Sequence, residues 1–125
     1  MVFQLDETQW PLVQARWTSL EGGTLTAFLK RMDSWLARKE RFGLLLDSRG
    51  AGPIPPEQRK LVLDHMRANA ALTAKYFVQA VVIDNLVQRT LFHAIRLVFP
   101  SPFPSRIFSD PEAARSWLSE QLQAR

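Results

Sequence analysis

Two aspartates end apolar runs in this chain: Asp47 closes "FGLLLD" and Asp84 closes "FVQAVVID". Short continuous apolar runs of this kind read as strands buried on both faces, the usual condition in a parallel sheet. In open α/β sheets, ligands collect beyond the carboxyl ends of the strands. Two carboxylates there would suit Mg²⁺, a hard cation that keeps several of its waters. The structural alternative is that each acid makes a turn hydrogen bond or caps the next segment. No third acid stands at a comparable strand end, and "GAGP" lacks the lysine and the serine or threonine of a phosphate-binding loop. The residues favour the structural alternative. Ser48 and Asn85 follow the two aspartates directly, so Asp47, Ser48, Asp84 and Asn85 form the candidate ligand edge.

Other chemistry is sparse. The chain has no cysteine, which excludes disulfides, thiolate metal sites and cysteine nucleophiles. Its two histidines, His65 and His93, belong to no His-Glu-x-x-His motif and no i, i+4 pair. His65 falls near an apolar helical stripe and reads as a satisfied boundary residue. Neither histidine has a serine or aspartate partner evident in sequence that would suggest a triad. No catalytic residue, no metal ligand set and no cofactor is expected.

The segment "LVQRTLFHAIRLVF", Leu86 to Phe99, holds the best surface candidates. Val87, Leu91, Ala94, Ile95 and Val98 make one helical stripe, expected to face a sheet. Phe92, Leu97 and Phe99 are left on other sides, with Arg89, His93 and Arg96 among them. A helix apolar nearly all round is either deeply buried or has a partner. An apolar patch rimmed by arginine suits a protein interface. Arg49, Arg89, Phe92, His93 and Arg96 are therefore the candidate partner-binding residues. Alternatively, the loop "FPSPFP" folds back and covers Phe92 and Phe99.

These residues need a scaffold, and the periodicities supply one. "VFQL" and "LVQARWTS" read as a hairpin of two strands; Val13, Ala15 and Trp17 alternate with polar residues. After "EGG" at Glu21 to Gly23, Thr24 is placed to cap a helix running to about Lys39. Leu25, Phe28, Leu29, Met32 and Leu36 form its apolar stripe. A second helix starts near Pro56, where a missing N–H is no loss; Leu61, Val62, His65, Met66, Ala68 and Leu72 supply its inward face. Asn85 caps the third helix. "SRIF" is the last strand, and a fourth helix begins after its cap Asp110, with Pro111 at the first position. Trp35 and Trp117 fall at helix-core spacing, and Trp10 lies in a loop beside Pro11. The order β-β-α-β-α-β-α-β-α implies a mostly parallel sheet with right-handed crossovers and an N-terminal hairpin.

At 125 residues the chain makes one domain, 1–125, able to bury a core without staples. Sixteen Lys and Arg against twelve Asp and Glu give +4. The charges are scattered, and aromatic–basic interleaving is confined to "ARW" and "QRTLFHAIR", so no nucleic-acid partner is expected. No apolar run reaches the length of a membrane span, and the first ten residues lack the apolar region of a signal peptide. A cytoplasmic protein without integral membrane association is the expectation.

Three stretches carry a family resemblance: "RWTSLEGGTLTAFLKRMDSWL", "AVVID" leading into an amphipathic helix, and "RIFSDPEAARSWL". Together they span most of Arg16 to Leu118, and the chain resembles the STAS superfamily, within it the compact bacterial SpoIIAA-like (anti-sigma-factor-antagonist-like) proteins. The likeness lies in pattern and element order, not in a catalytic signature. It implies a STAS-like α/β domain of about four helices that is not an enzyme and acts by docking regulatory proteins. Some members of the superfamily bind nucleotides or lipids. The family's phosphorylated serine sits at a helix start in an Asp-Ser-Ser-Gly-like loop; here "DSRG", Asp47 to Gly50, stands at the strand end instead, and "IPPEQR" holds no serine. The leading expectation is thus a non-enzymatic regulatory or scaffolding module that docks another protein, or itself as a homodimer, through the third helix and the carboxyl-edge loops. A small apolar or lipid-like ligand is the alternative, and a metal-dependent enzyme using Asp47 and Asp84 the third reading.

Overall fold

The computed structural model describes residues 3–18, 23–51, 54–98 and 100–123. Ten elements follow along the chain: β1 (Phe3–Asp6), β2 (Leu12–Trp17), α1 (Thr24–Ala37), β3 (Phe42–Asp47), α2 (Pro56–Ala68), α3 (Ala70–Tyr76), β4 (Phe77–Val82), α4 (Leu86–Val98), β5 (Ser105–Phe108) and α5 (Pro111–Gln123). The five strands form one mixed sheet in the order β1-β2-β3-β4-β5. β1 is antiparallel to β2, and the other three pairings are parallel. This is the α/β class with the hairpin at one edge.

The order has a geometric consequence. Each parallel strand is laid down on the same side of the one before it. Right-handed crossovers then place every connecting helix on one face of the sheet. α1 packs with Val13, Leu44 and Phe77 on that face, which α2 and α3 share, while α5 follows the last strand and covers the opposite face. Register puts Val13 and Ala15 beside Leu44 and Leu46, and Phe42 and Leu44 beside Phe77 and Gln79. The alternate residues Leu12, Leu45, Val78, Ala80 and Val82 face α5, where Ala114 and Leu118 are fully buried.

Aromatic rings lock the amino ends of the strands. Phe42 lies 5.3 Å from Trp10, 6.1 Å from Trp35 and 5.2 Å from Phe77, and Phe77 lies 4.6 Å from Phe103. Trp35 is wholly buried, yet its indole N–H donates to Glu7 Oε1 at 2.8 Å. Glu7 also pairs with Arg31, so the hairpin loop is tied to α1. Trp10 is half-buried, stacked on Phe42 with the Arg38 guanidinium 4.1 Å above its ring.

Four expectations need correction. The second helix is two: α2 ends at Ala68, Asn69 donates through its backbone and side-chain N–H to His65 O, and α3 starts anew. That makes five helices. Within α2 no residue is fully buried, and Leu61 and Ala68 point outward. Thr24 is the first helical residue of α1 rather than its cap; Gly23 holds the cap position without a side-chain hydrogen bond. α1 stops at Ala37, and Lys39 adopts a left-handed φ of 56°. Asp110 and Asn85 do cap as expected: Asp110 accepts the N–H groups of Glu112 and Ala113, and Asn85 accepts that of Gln88.

Candidate functional site: an apolar cavity beneath α4

β3 and β4 lie at the centre of the sheet, and the faces they turn toward α1 and α2 are not fully covered. A cavity of about 250 Å³ lies over them. Strand alternation brings Trp17, Leu44, Leu46 and Gln79 to its floor. Each surrounding helix adds residues at helical spacing, the geometry that sets one face of a helix against a surface. α1 contributes Leu25, Phe28 and Leu29; α2 contributes Arg59, Val62, Leu63 and Met66; α4 contributes Phe92, Ile95 and Arg96. Ile54 closes one side, and Ser101 and Phe103 come from the proline-rich loop.

α4 is the wall that differs from expectation. Of the stripe Val87, Leu91, Ala94, Ile95 and Val98, only Ile95 turns inward; the other four face outward, Val87 75% exposed and Val98 69%. The half-buried residues are Gln88, Arg89, Phe92, Ile95 and Arg96. Two hydrogen bonds hold the start of the helix, and the second ties it to the rest of the molecule. The Asn85 carboxamide oxygen caps the Gln88 N–H at 3.1 Å, and the Gln88 side chain donates to Ala51 O at 2.6 Å. The helix is thereby clipped to the β3–α2 loop through its polar side, and Phe92 and Ile95 turn toward the cavity. The proline-rich loop reaches the same cavity through Phe103; Phe99 lies outside the described residues.

The polar groups around the cavity are few. Arg59 and Arg96 are half-buried, and neither guanidinium makes a hydrogen bond or ion pair with a described residue. Gln79 is a carboxamide in the middle of an otherwise apolar core strand, and no described residue bonds its side chain. Its register neighbour Ser105 has a buried hydroxyl with no partner among the described residues. No acid, histidine or lysine lines the cavity among the described residues.

The candidate ligand edge lies elsewhere. Asp47 faces the α5 side, in a polar groove of about 340 Å³ that includes Gln14, Arg16, Arg49, Glu112 and Arg115. Asp47 is buried and both its oxygens are taken: Arg49 donates from Nε to Oδ1 at 2.9 Å, from a terminal nitrogen to Oδ2 at 2.7 Å and from its backbone N–H to Oδ1 at 3.1 Å. Burial pushes the Asp47 carboxyl up, but those hydrogen bonds and the nearby charges of Arg49 and Arg16 together bring it below the ordinary carboxylate range. The Arg49 guanidinium is raised in turn by its bonds to Asp47. Ser48 is 5% exposed, and its Oγ accepts the Trp17 indole N–H at 2.8 Å. Asp84 and Asn85 are exposed beyond the end of β4. The Arg49 guanidinium that bonds Asp47 also feels the charge of Asp84, and no group of three potential metal ligands exists among the described residues.

The five candidate partner-binding residues separate in the same way. Phe92 and Arg96 belong to the cavity, His93 is exposed on α4, Arg89 is half-buried there, and Arg49 lies on the far face in its pair with Asp47. His65 is satisfied, with Nε2 2.7 Å from Asp33 Oδ1. Arg59 and Gln79 escape sequence patterning alone. The available signal was a glutamine interrupting "FVQAVV". No family model, no curated protein and no solved structure matches this chain.

Proposed function

We propose that this protein is a non-enzymatic binding module that holds a small apolar ligand between its sheet and α4. The observation that carries the reading is the cavity itself: about 250 Å³ with walls almost wholly apolar. Well-packed interiors leave few voids larger than a water molecule, whereas ligand sites are concave, mostly apolar and marked by a few polar groups. The single described hydroxyl in the lining, on Ser101, has no base beside it, which supports binding rather than catalysis. Strand order, the hairpin edge and the terminal Asp-capped helix support a STAS-like domain as the scaffold.

Native mass spectrometry of freshly purified protein tests this. An adduct displaced by decanol is the expected result. Trp17 lines the cavity, so decanol also shifts tryptophan emission, and Leu46→Trp, which fills the space, removes the effect. A clean apo mass with no response to decanol overturns the reading.

The second reading keeps α4 as a docking element, now through its outer face. Leu86, Val87, Leu91, Leu97 and Val98 are all exposed there, Leu97 by 85%. α4 carries Arg89, His93 and Arg96 and no acid. The partner that complements it is a protein with an acid-rimmed apolar groove.

A further inference from the structure

We infer that the ligand is an amphipathic anion, with its apolar tail on the strand floor and its anionic head held by Arg59 and Arg96. This deepens the ligand-binding reading and rests on it.

The argument starts from the two arginines. A half-buried guanidinium carries five N–H donors in a rigid fork and cannot shed its charge. In the polar groove on the other face the two less exposed arginines are matched, Arg49 by Asp47 and Arg115 by Glu112 and Gln14, and only the exposed Arg16 has no such bond. Arg59 and Arg96 have no such partner among the described residues, although they come from different helices and line one cavity. The described lining holds these two positive charges and no negative one. The chemistry that completes such a pair is a carboxylate or phosphate, whose oxygens fit the guanidinium fork.

The rest of the lining sets the tail. Leu44, Leu46, Phe28 and Phe92 offer only carbon. A fully charged or sugar-like ligand would leave its polar groups unpaired against them, at a cost. Gln79 is the exception on the floor, and its unpaired carboxamide can meet one polar atom of the bound molecule. A single anionic head on an aliphatic or arylaliphatic tail satisfies both halves of the site.

Calorimetric titration of the full chain with decanoate, decanol and decyl phosphate tests the head group. Arg59→Met and Arg96→Met keep the length of the stem and remove the charge. Each is expected to weaken decanoate by about tenfold or more, the worth of a charge-assisted hydrogen bond, and to leave decanol unchanged. Arg59→Lys should recover part of the loss. Thermal melts of each variant verify the fold. Decyl phosphate binding tighter than decanoate would also support the anionic head and assign it to phosphate. Equal losses for decanoate and decanol, or no loss for either, would mean the guanidiniums merely extend over apolar surface into water, and would overturn the proposal while the cavity reading stands. Wild type that takes up none of the three probes overturns both.

Discussion

The carboxylate of Asp47 shows how a residue suited to chemistry becomes structural. It is buried at the end of β3, which works against its charge, and three bonds from Arg49 restore that charge. A group whose pKa is depressed in the folded state adds stability above its unfolded pKa of about 3.9 and loses it as pH falls through the folded value. Asp47→Asn is therefore expected to cost about 1–2 kcal/mol at neutral pH, a range for charged hydrogen bonds reduced because Arg49 is partly exposed. Urea melts at pH 7 should show the gap, and melts in strong acid should show it closing. A gap independent of pH would mean that packing rather than charge holds the loop. Beside it, Ser48→Ala leaves the buried Trp17 indole N–H without an acceptor, an expected loss of about 1–3 kcal/mol measured by the same melts. The sequence showed that Asp47 ends a strand. It could not show that Arg49, two residues on, folds back on it, because a tight turn and an open ligand edge use the same residue types.

At the scale of elements, sequence patterning served best where one face is apolar and the other is not. Trp35 and Leu36 in α1, and Ala114 and Leu118 in α5, are buried at the expected spacing. α4 is apolar almost all round, so two stripes compete. Hydrophobicity favours Val87, Leu91, Ala94, Ile95 and Val98, but with the Gln88 bond to Ala51 O in place Phe92 and Ile95 turn inward and the other four outward. A long-range hydrogen bond such as that from Gln88 to Ala51 leaves no periodic trace. Gln88→Ala should loosen that clip, seen as faster amide hydrogen exchange across α4 with α1 and α5 unchanged; uniform protection would show that packing alone sets the helix. α5 is held differently. A Cβ at Gly43 would lie 3.1 Å from Leu118 Cδ2 and 3.3 Å from Val78 Cγ1, so the glycine lets α5 approach β3 closely. Gly43→Val is expected to cost about 1–3 kcal/mol through overpacking, read by chemical denaturation. An unchanged midpoint would mean that α5 shifts freely.

For the whole molecule, strand order decides what is left open. Four strands advancing in one direction send every crossover helix to one face. α4, the last crossover, lies outermost; it roofs the cavity with one side and presents Val87, Leu91 and Val98 with the other. No described helix is long and apolar enough to cross a membrane. Pairing α4 with its copy would set side by side two helices that carry basic residues and no acid, and each chain carries +4. Screening reaches about 10 Å at 0.1 M salt and about 3 Å at 1 M. Self-association through this face must therefore strengthen with salt, while docking to an acid-rimmed partner must weaken. Light scattering after size exclusion, at two concentrations and both salts, separates the cases. The expected result is a monomer at low salt. Leu91→Asp with Val98→Asp should stay folded and monomeric in both salts and still take up decanol. Phe92→Asp instead places a carboxylate at the cavity and should abolish uptake without changing the mass. A low-salt dimer that survives the double substitution would remove the outer face of α4 as the docking surface and leave the cavity as this molecule's binding site.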